Sequence, residues 1–245
     1  MNDNNLQKFD PNNPLSFEIG EKELAKNFMS QVFAYMTAAL ALSGIAAFVF
    51  ANSSLIYNLF NPVTGSLNIL GWVTMLAPLG LVLLMGVRYH KMSFGSLMLF
   101  FLVFAVINGI SLSFILLTYT ASSIALTFFV TAGTFAVMAI LGWRTRTDLT
   151  KFGSILYMAL IGIIIASLAN FFLQSGPLDY IISFAGVIIF TGLTAYDVQK
   201  LKRIGAQVEY GTEGSSKMAI MGAVSLYLDF INLFLFLLRF LGSRD

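Results

Sequence analysis

Two aspartates lie within or at the ends of the most apolar stretches of the sequence. Asp229 interrupts SLYLDFINLFLFLL, and Asp197 ends a long apolar run in TGLTAYDVQKLKR. An ionised carboxylate without a partner costs several kcal/mol inside a bilayer, so such a group is protonated or paired. Two carboxyls that approach each other share a proton and release it in steps, and once ionised they offer oxygen ligands to a hard cation. Asp197 and Asp229 therefore predict a proton switch and a Ca²⁺ site.

Other polar residues accompany the two acids at helical spacing. Ser225, Asp229 and Asn232 are three or four residues apart, as are Thr194 and Asp197. Residues at these spacings share one face of a helix, and a polar face on an apolar helix should point into the bundle. We therefore expect Ser225, Asn232 and Thr194 to form the supporting polar face of the site.

Each of the charged candidates also has a purely structural interpretation, which the sequence leaves open. Asp229 could be a protonated residue that joins two helices. Asp197 could be a solvated residue at a helix end, paired with Lys200 or Lys202. Arg88 follows the second apolar run and is the natural partner for one of the acids, but it could equally be a basic anchor at the membrane surface.

The elements that would position these residues are membrane-spanning helices. The chain has 245 residues, of which 58% are hydrophobic and 11% are charged, whereas soluble domains have about 25% charged residues. Seven apolar runs approach the roughly 20 residues that a helix needs to cross a bilayer. The sequence thus predicts an all-α integral membrane protein, a seven-transmembrane-helix bundle with the last helix central. The predicted spans are Asn27–Ala51, Ile69–Val87, Phe94–Leu117, Ile124–Gly142, Phe152–Leu173, Tyr180–Asp197 continuing toward Arg203, and Lys217–Phe240.

The distribution of basic residues predicts the orientation of these spans. Lys and Arg precede the first helix and lie between helices two and three, four and five, and six and seven, whereas the loops after helices one, three and five have none. This alternation predicts a cytoplasmic N-terminus in the cell (inner or plasma) membrane. Arg239 and Arg244 are exceptions: seven full spans place them outside, and a re-entrant last segment would place them inside. We favour seven full spans, with residues 1–26 as a cytoplasmic polar tail and 27–242 as the transmembrane domain.

Composition excludes several other classes of function. The net charge of +2 does not indicate nucleic acid as a partner. The chain has no cysteine and one histidine, His90, so neither a thiolate metal site nor a multi-histidine centre is expected. No lysine lies in the apolar interior of a predicted span, which excludes a retinal Schiff base. We expect no cofactor and no enzymatic activity, with lipid, protons and Ca²⁺ as the partners.

Two segments carry a resemblance to a known family. TAYDVQKLKRI and AVSLYLDFINLFLFLLRFLG resemble the sixth and seventh helices of the Bax inhibitor-1 family, and the seven-helix layout is similar over about residues 25–242. The resemblance implies a membrane protein that leaks Ca²⁺ in a pH-dependent way, gated by a di-aspartyl pair that corresponds to Asp197 and Asp229. It also implies that Arg88 is a latch on the sixth-helix acid. Some members carry an acid in helix two; this chain has none there, which leaves the ion selectivity open.

Two alternatives to the channel remain. The first is a non-conducting regulator that binds a membrane protease or another membrane protein, as the resemblance implies for some bacterial members. The second is an intramembrane aspartyl protease, for which Tyr196–Asp197 matches half of the signature. That class needs Gly-x-Gly-Asp at the second acid, whereas Asp229 follows Tyr227 and Leu228.

Overall fold

The computed structural model describes residues 14–243, with side chains from residue 20 onward. Seven α-helices make up most of this range, all of them long and apolar enough to cross a membrane. Two short 3-10 helices, Ser54–Leu59 and Tyr89–Lys91, flank α2, and there is no strand among the described residues. The seven helices are α1 Pro14–Ala51, α2 Ile69–Arg88, α3 Phe94–Leu116, α4 Ala121–Arg144, α5 Thr150–Leu173, α6 Gly176–Gln207 and α7 Glu213–Leu241.

The predicted spans agree with the observed helices except at the start of the first. α1 begins at Pro14 rather than at Asn27, so half of the predicted polar tail is helical. Residues such as Glu21, Lys22 and Glu23 favour helix and lie exposed, so α1 continues past the apolar segment. Apolarity marks where a helix crosses lipid and does not mark where the helix begins. Residues 1–13 of the predicted tail lie outside the described residues.

Two helices, rather than one, occupy the centre of the bundle. The membrane-spanning stretches of α7 and α6 are 61% and 56% buried, whereas no other span exceeds 28%. α7 packs against α1, α3, α4 and α6, and α6 packs against α1, α4, α5 and α7. The last helix is central as predicted, and its neighbour α6 shares that position. Any polar residue facing the α6–α7 contact is therefore shielded from lipid.

α1 and α3 pack closely together behind α7, and we call this pair of helices the α1–α3 wall. Gly109 of α3 lies directly against Ser43 and Ala46 of α1, so that a methyl group at residue 109 would overlap the Ser43 backbone. Small residues allow helices to approach in lipid, where dispersion contacts replace the hydrophobic effect as the main attraction. The larger apolar core extends from this contact to α7, and a smaller one lies among α5, α6 and α7.

The position of the C-terminus shows that α7 crosses the whole bundle. The Ser243 amide donates to Ser123 Oγ at 3.0 Å, and the Thr120 amide donates to the Ser243 carbonyl at 3.3 Å. Thr120 belongs to the α3–α4 connection, so the end of α7 lies there and not beside the basic loops. Arg239 is therefore at the end opposite the basic loops, as seven full spans predict, while Arg244 lies outside the described residues.

Candidate functional site

Asp197 is buried at the junction of three helices, and each of its carboxylate oxygens accepts a hydrogen bond. The residue is 2% exposed. Oδ2 accepts from Ser225 Oγ of α7 at 2.5 Å, and Oδ1 accepts from the Tyr157 hydroxyl of α5 at 3.2 Å. A carboxylate that receives donors on both oxygens is well suited to carry its negative charge in a buried place.

Asp229 is buried as deeply but is supported much less. It is 5% exposed, and its Oδ2 has no hydrogen-bond partner among the described residues. Leaving a neutral carboxyl without a partner costs far less than leaving a charge without one. If the two acids hold one proton between them, it therefore belongs on Asp229, with Asp197 as the anion.

The two acids are stepped along the bundle rather than level. Ser225, which bonds Asp197, lies one helical turn before Asp229 on the same face of α7. One turn corresponds to about 5–6 Å along the axis, with Asp229 farther from the basic loops. The charge of Asp197 acts on Asp229, and the charge of the exposed Lys200 acts on both acids. The continuation of α6 past Arg203, expected from the sequence, brings Asp197 to this depth.

The predicted supporting residues Ser225, Thr194 and Asn232 differ in whether they contact the acid pair. Ser225 bonds Asp197 directly. Thr194 is fully buried, but its hydroxyl donates to the Phe190 carbonyl of its own helix at 2.8 Å. Asn232 likewise donates to the Leu228 carbonyl at 2.8 Å and lines a cavity farther along α7. Of the three, only Ser225 is hydrogen-bonded to the pair.

The structure does not bring Arg88 to either acid. Arg88 ends α2 and is exposed, with no hydrogen bond or ion pair to Asp197 or Asp229 in the described part of the chain. The reason is the packing of α2, which lies against α3 and the 3-10 helices and not against α6. The expected latch contact is thus absent from this conformation. Lys200 is the cation whose charge reaches the pair.

Tyr157 is a site residue that the sequence analysis missed. It lies on α5, forty residues before the acid it contacts, and no motif connects the two. Its charge environment includes both Asp197 and Asp229. The available signal was a tyrosine in an otherwise apolar span, where a hydroxyl turned away from water needs a partner.

A second feature that the sequence analysis missed is a buried network of hydrogen bonds behind Asp229, which joins α1, α3 and α7. The Asn108 amide of α3 donates to the Tyr227 hydroxyl of α7 at 2.6 Å, and Tyr227 bonds Ser43 of α1 at 2.7 Å. Ser43 donates to the Ala105 carbonyl of α3 at 2.6 Å, which completes the network and makes Tyr227 the donor to Ser43. These bonds set the rotation of α7, and Tyr227 is only two residues before Asp229.

The basic end of α6 holds the α4–α5 loop. Gln199 accepts from the Leu149 amide at 2.9 Å and donates to the Thr147 carbonyl at 2.8 Å. Arg203 pairs with Asp148 at 2.8 Å. Hydrogen bonds from the Thr150 side chain and backbone, together with Arg203, lower the pKa of Asp148 to about 2.

The N-terminus of α7 holds the other basic loop. Glu213 Oε1 accepts from the Phe94 amide at the start of α3, at 2.9 Å. Both loops at this end are therefore fastened to the α6–α7 hairpin, on the side of the pair nearer Asp197.

The ligand set of the pair suits transient rather than permanent cation binding. Asp197 and Asp229 supply carboxylate oxygens, and Ser225 and Tyr157 supply hydroxyls. Ca²⁺ takes six to eight oxygen ligands, and no group of three or more His, Cys, Asp or Glu that could hold a metal occurs in the described range. A cation here would retain part of its water shell.

The fold and the site together define a class: an integral membrane protein of seven helices with a buried pair of acids between its two central helices. Comparison with known proteins gives the family. Residues 25–245 match the family model described as "Inhibitor of apoptosis-promoting Bax1", and the chain belongs to this family, the Bax inhibitor-1 family. The resemblance expected from the sequence is thereby confirmed.

Bacterial membrane proteins are among its relatives. The inner membrane protein YbhL of Escherichia coli is 44% identical over 220 residues, covering 89% of this chain and 92% of that protein. Uncharacterised proteins from Borreliella burgdorferi and Rickettsia prowazekii are 43% and 42% identical, each over about 90% of both chains. The similarity therefore extends over all seven helices.

Proposed function

We propose that the protein is a pH-sensitive cation leak channel that passes Ca²⁺ and is gated by the Asp197–Asp229 pair. The observation that carries this proposal is a buried acid on each of the two central helices, one with donors on both oxygens and the other with an unpartnered oxygen. An unpaired buried oxygen costs about 1–3 kcal/mol, and a purely structural helix contact gains nothing from keeping one.

The contacts of Asp197 suggest how protonation would open the channel. When Asp197 is ionised, charge-assisted hydrogen bonds hold α5 and α7 to α6 through Tyr157 and Ser225. Protonation of Asp197 weakens both bonds at once and releases α7 from its neighbours. Mild acid then favours the conducting state. In this scheme Tyr157 and Ser225 perform the holding role that the resemblance implies for Arg88.

The charge distribution supports an orientation for the channel. The α2–α3, α4–α5 and α6–α7 connections carry the basic residues and lie at one end, and the basic-poor α3–α4 connection lies with the C-terminus at the other. The N-terminus and the basic loops would then face the cytoplasm. The relationship to the E. coli inner membrane protein supports the inner membrane as its location.

Reconstitution in liposomes tests the proposal. Ca²⁺ entry should rise as the pH is lowered from mildly alkaline to mildly acidic. Asp197→Asn should abolish that pH response, and Asp229→Asn should alter it by removing the neighbouring carboxyl. Asp148→Asn is the matched control, because Asp148 is an exposed acid outside the pair. Flux with the same pH response in all four proteins would refute gating by the pair.

The same preparations distinguish the alternatives. A stoichiometric protein partner in native purification, with no flux in liposomes, would indicate the non-conducting regulator. Cleavage of a model transmembrane peptide that requires both Asp197 and Asp229 would indicate an aspartyl protease. We propose neither, and we propose no enzymatic activity for the pair.

A further inference from the structure

A cavity of about 490 Å³, lined by both polar and apolar side chains, lies among α5, α6 and α7, at the end of the bundle opposite the basic loops. Each water occupies about 30 Å³ in the liquid, so this volume holds on the order of ten waters, enough for a hydrated cation. Its polar lining consists of one hydroxyl, three amides and one ion pair. These residues are Ser167, Asn170, Gln174, Asp179, Asn232 and Arg239.

An ion pair joins the two helix ends at this cavity. Arg239 Nη1 lies 3.1 Å from Asp179 Oδ1, linking the last turns of α7 to the first turn of α6. The two side chains are 42% and 35% exposed. Arg239 is the residue that departs from the charge pattern of the sequence, since it lies at the end where the loops have no Lys or Arg. A membrane protein needs no basic residue at this end to fix its orientation. In this structure the Arg239 side chain neutralises Asp179.

The cavity and Asp229 lie along one face of α7. Asn232 lines the cavity and lies three residues after Asp229, on the same face of α7. Its amide nitrogen donates to Leu228, so the carboxamide oxygen is the acceptor that it offers to the cavity. Ordered along the bundle axis from the basic-poor end are the Asp179–Arg239 pair, Asn232, the unpartnered Asp229 and then Asp197. Every step in this order presents an oxygen, the atom that hard cations bind.

We propose that this cavity is the outer entrance of the channel, and that Asp179 is a cation-recruiting carboxylate masked by Arg239. The position of this entrance comes from the cavity alone, whereas its role in Ca²⁺ entry rests on the proposed channel function. A hydrated divalent cation enters by displacing Arg239 from Asp179 and passes Asn232 to reach Asp229. The Arg239 charge opposes entry, so its removal should increase the rate, whereas removal of the Asp179 charge should decrease it.

Two charge variants test the effect on entry. Arg239→Gln should raise initial Ca²⁺ flux into liposomes by about tenfold, the lower end of the range by which local charge alters ion arrival. Asp179→Asn should lower it below that of the unaltered protein. Arg146→Gln is the matched control, because Arg146 is an exposed arginine at the opposite end. Unchanged flux in Arg239→Gln, in a preparation where Asp197→Asn still abolishes the pH response, would refute masking while leaving the channel intact.

Thiol labelling tests the entrance without any flux. The chain has no cysteine, so a single introduced thiol can be assigned without ambiguity. Asn232→Cys should react with a membrane-impermeant cationic thiosulfonate added from the side opposite the basic loops. Ile165→Cys, on the lipid-facing surface of α5 and 63% exposed, should not react.

Labelling and flux together separate the two hypotheses. An unreactive thiol in the Asn232→Cys protein would overturn the entrance whatever the flux. A reactive thiol in that protein, without any Ca²⁺ conduction, would refute the channel and retain the cavity as a water-filled site.

Discussion

At the scale of single residues, two identical side chains have different environments. Asp197 has donors on both oxygens, whereas Asp229 has an unpartnered oxygen in equally deep burial. The difference arises from what neighbouring helices supply at each depth: Tyr157 and Ser225 reach Asp197, and neither is hydrogen-bonded to Asp229. We infer that Asp197 carries the charge and Asp229 the proton when the pair holds one proton.

Removal of the Tyr157 hydroxyl should move the pH response. Tyr157→Phe deletes a donor that favours ionised Asp197, so protonation would occur at higher pH and half-maximal Ca²⁺ flux would shift to higher pH. One hydrogen bond to a charged group contributes about 1.5 kcal/mol at the lower end, which corresponds to about one pH unit. The measurement is flux in liposomes across a pH series.

Tyr196→Phe is the control for this change. Tyr196 packs edge-on against Tyr157 at 5.9 Å between ring centroids, and its hydroxyl makes no hydrogen bond to either acid among the described residues. Equal shifts in the two variants would assign the effect to ring packing rather than to the Asp197 hydrogen bond.

Asp148 is the ionisable group that should not take part in this response. Its pKa is lowered to about 2 in the folded protein, from the ordinary 3.8. A depressed carboxyl pKa contributes stability that is present above the ordinary value and is lost as the pH falls through the lowered one. Its ion pair with Arg203 therefore persists at neutral and mildly acidic pH. Asp148 is therefore not expected to contribute to a response in mild acid.

At the scale of elements, the central α6–α7 hairpin is held from both sides. α5 holds the hairpin through Tyr157. The hydrogen-bond network of Ser43, Asn108 and Tyr227 fixes α7 against α1 and α3. The α1–α3 wall depends on the close approach at Gly109. A change that separates α1 from α3 should therefore lower the stability of the fold more than it alters the surroundings of Asp197 and Asp229.

Two glycine substitutions should have opposite effects on stability. Gly109→Ala places a methyl group against the Ser43 backbone and Ala46, and such overpacking typically costs about 1–3 kcal/mol. Gly133→Ala enters open space on the exposed surface of α4, where the better helix propensity of alanine adds up to about 1 kcal/mol. Thermal unfolding in detergent measures both. A Gly109→Ala protein as stable as the unaltered one would show that α1 and α3 can separate freely.

At the scale of the whole molecule, the two ends of the bundle differ in charge and in how firmly their loops are bonded to the central helices. At the basic end, Gln199, Arg203 and Glu213 fasten the loops to the central hairpin. At the other end lie the cavity and a half-exposed ion pair. This asymmetry fits the gate that we propose near Asp197 and the entrance that we propose near Arg239.

The two ends should be accessible from opposite sides of the membrane. Single cysteines introduced at Arg146 and at Ser243, both exposed, should label with an impermeant reagent only from the cytoplasmic and only from the external side, respectively. Labelling of spheroplasts and of inverted vesicles makes the measurement. Labelling of both from one side would contradict seven full spans.

Much of this architecture follows from the sequence because lipid imposes a simple rule. A backbone in hydrocarbon must satisfy its own hydrogen bonds, so long apolar runs become helices, and the number, order and approximate ends of α2–α7 follow from composition. The same rule makes an acid such as Asp229 conspicuous. α1 begins before the predicted span because helix formation outside lipid depends on weaker local preferences.

The sequence by itself determined the seven helices, the alternation of basic loops and the two acids that lipid disfavours, since each depends only on the solvent that a residue meets. Tertiary structure alone decided which residues meet: Tyr157 with Asp197, Tyr227 with Ser43, Asp179 with Arg239, and Arg88 with neither acid. These contacts join positions that are 40 to 184 residues apart. They depend on which helices pack together and how each is rotated, and helical periodicity within one segment carries no information about its neighbours.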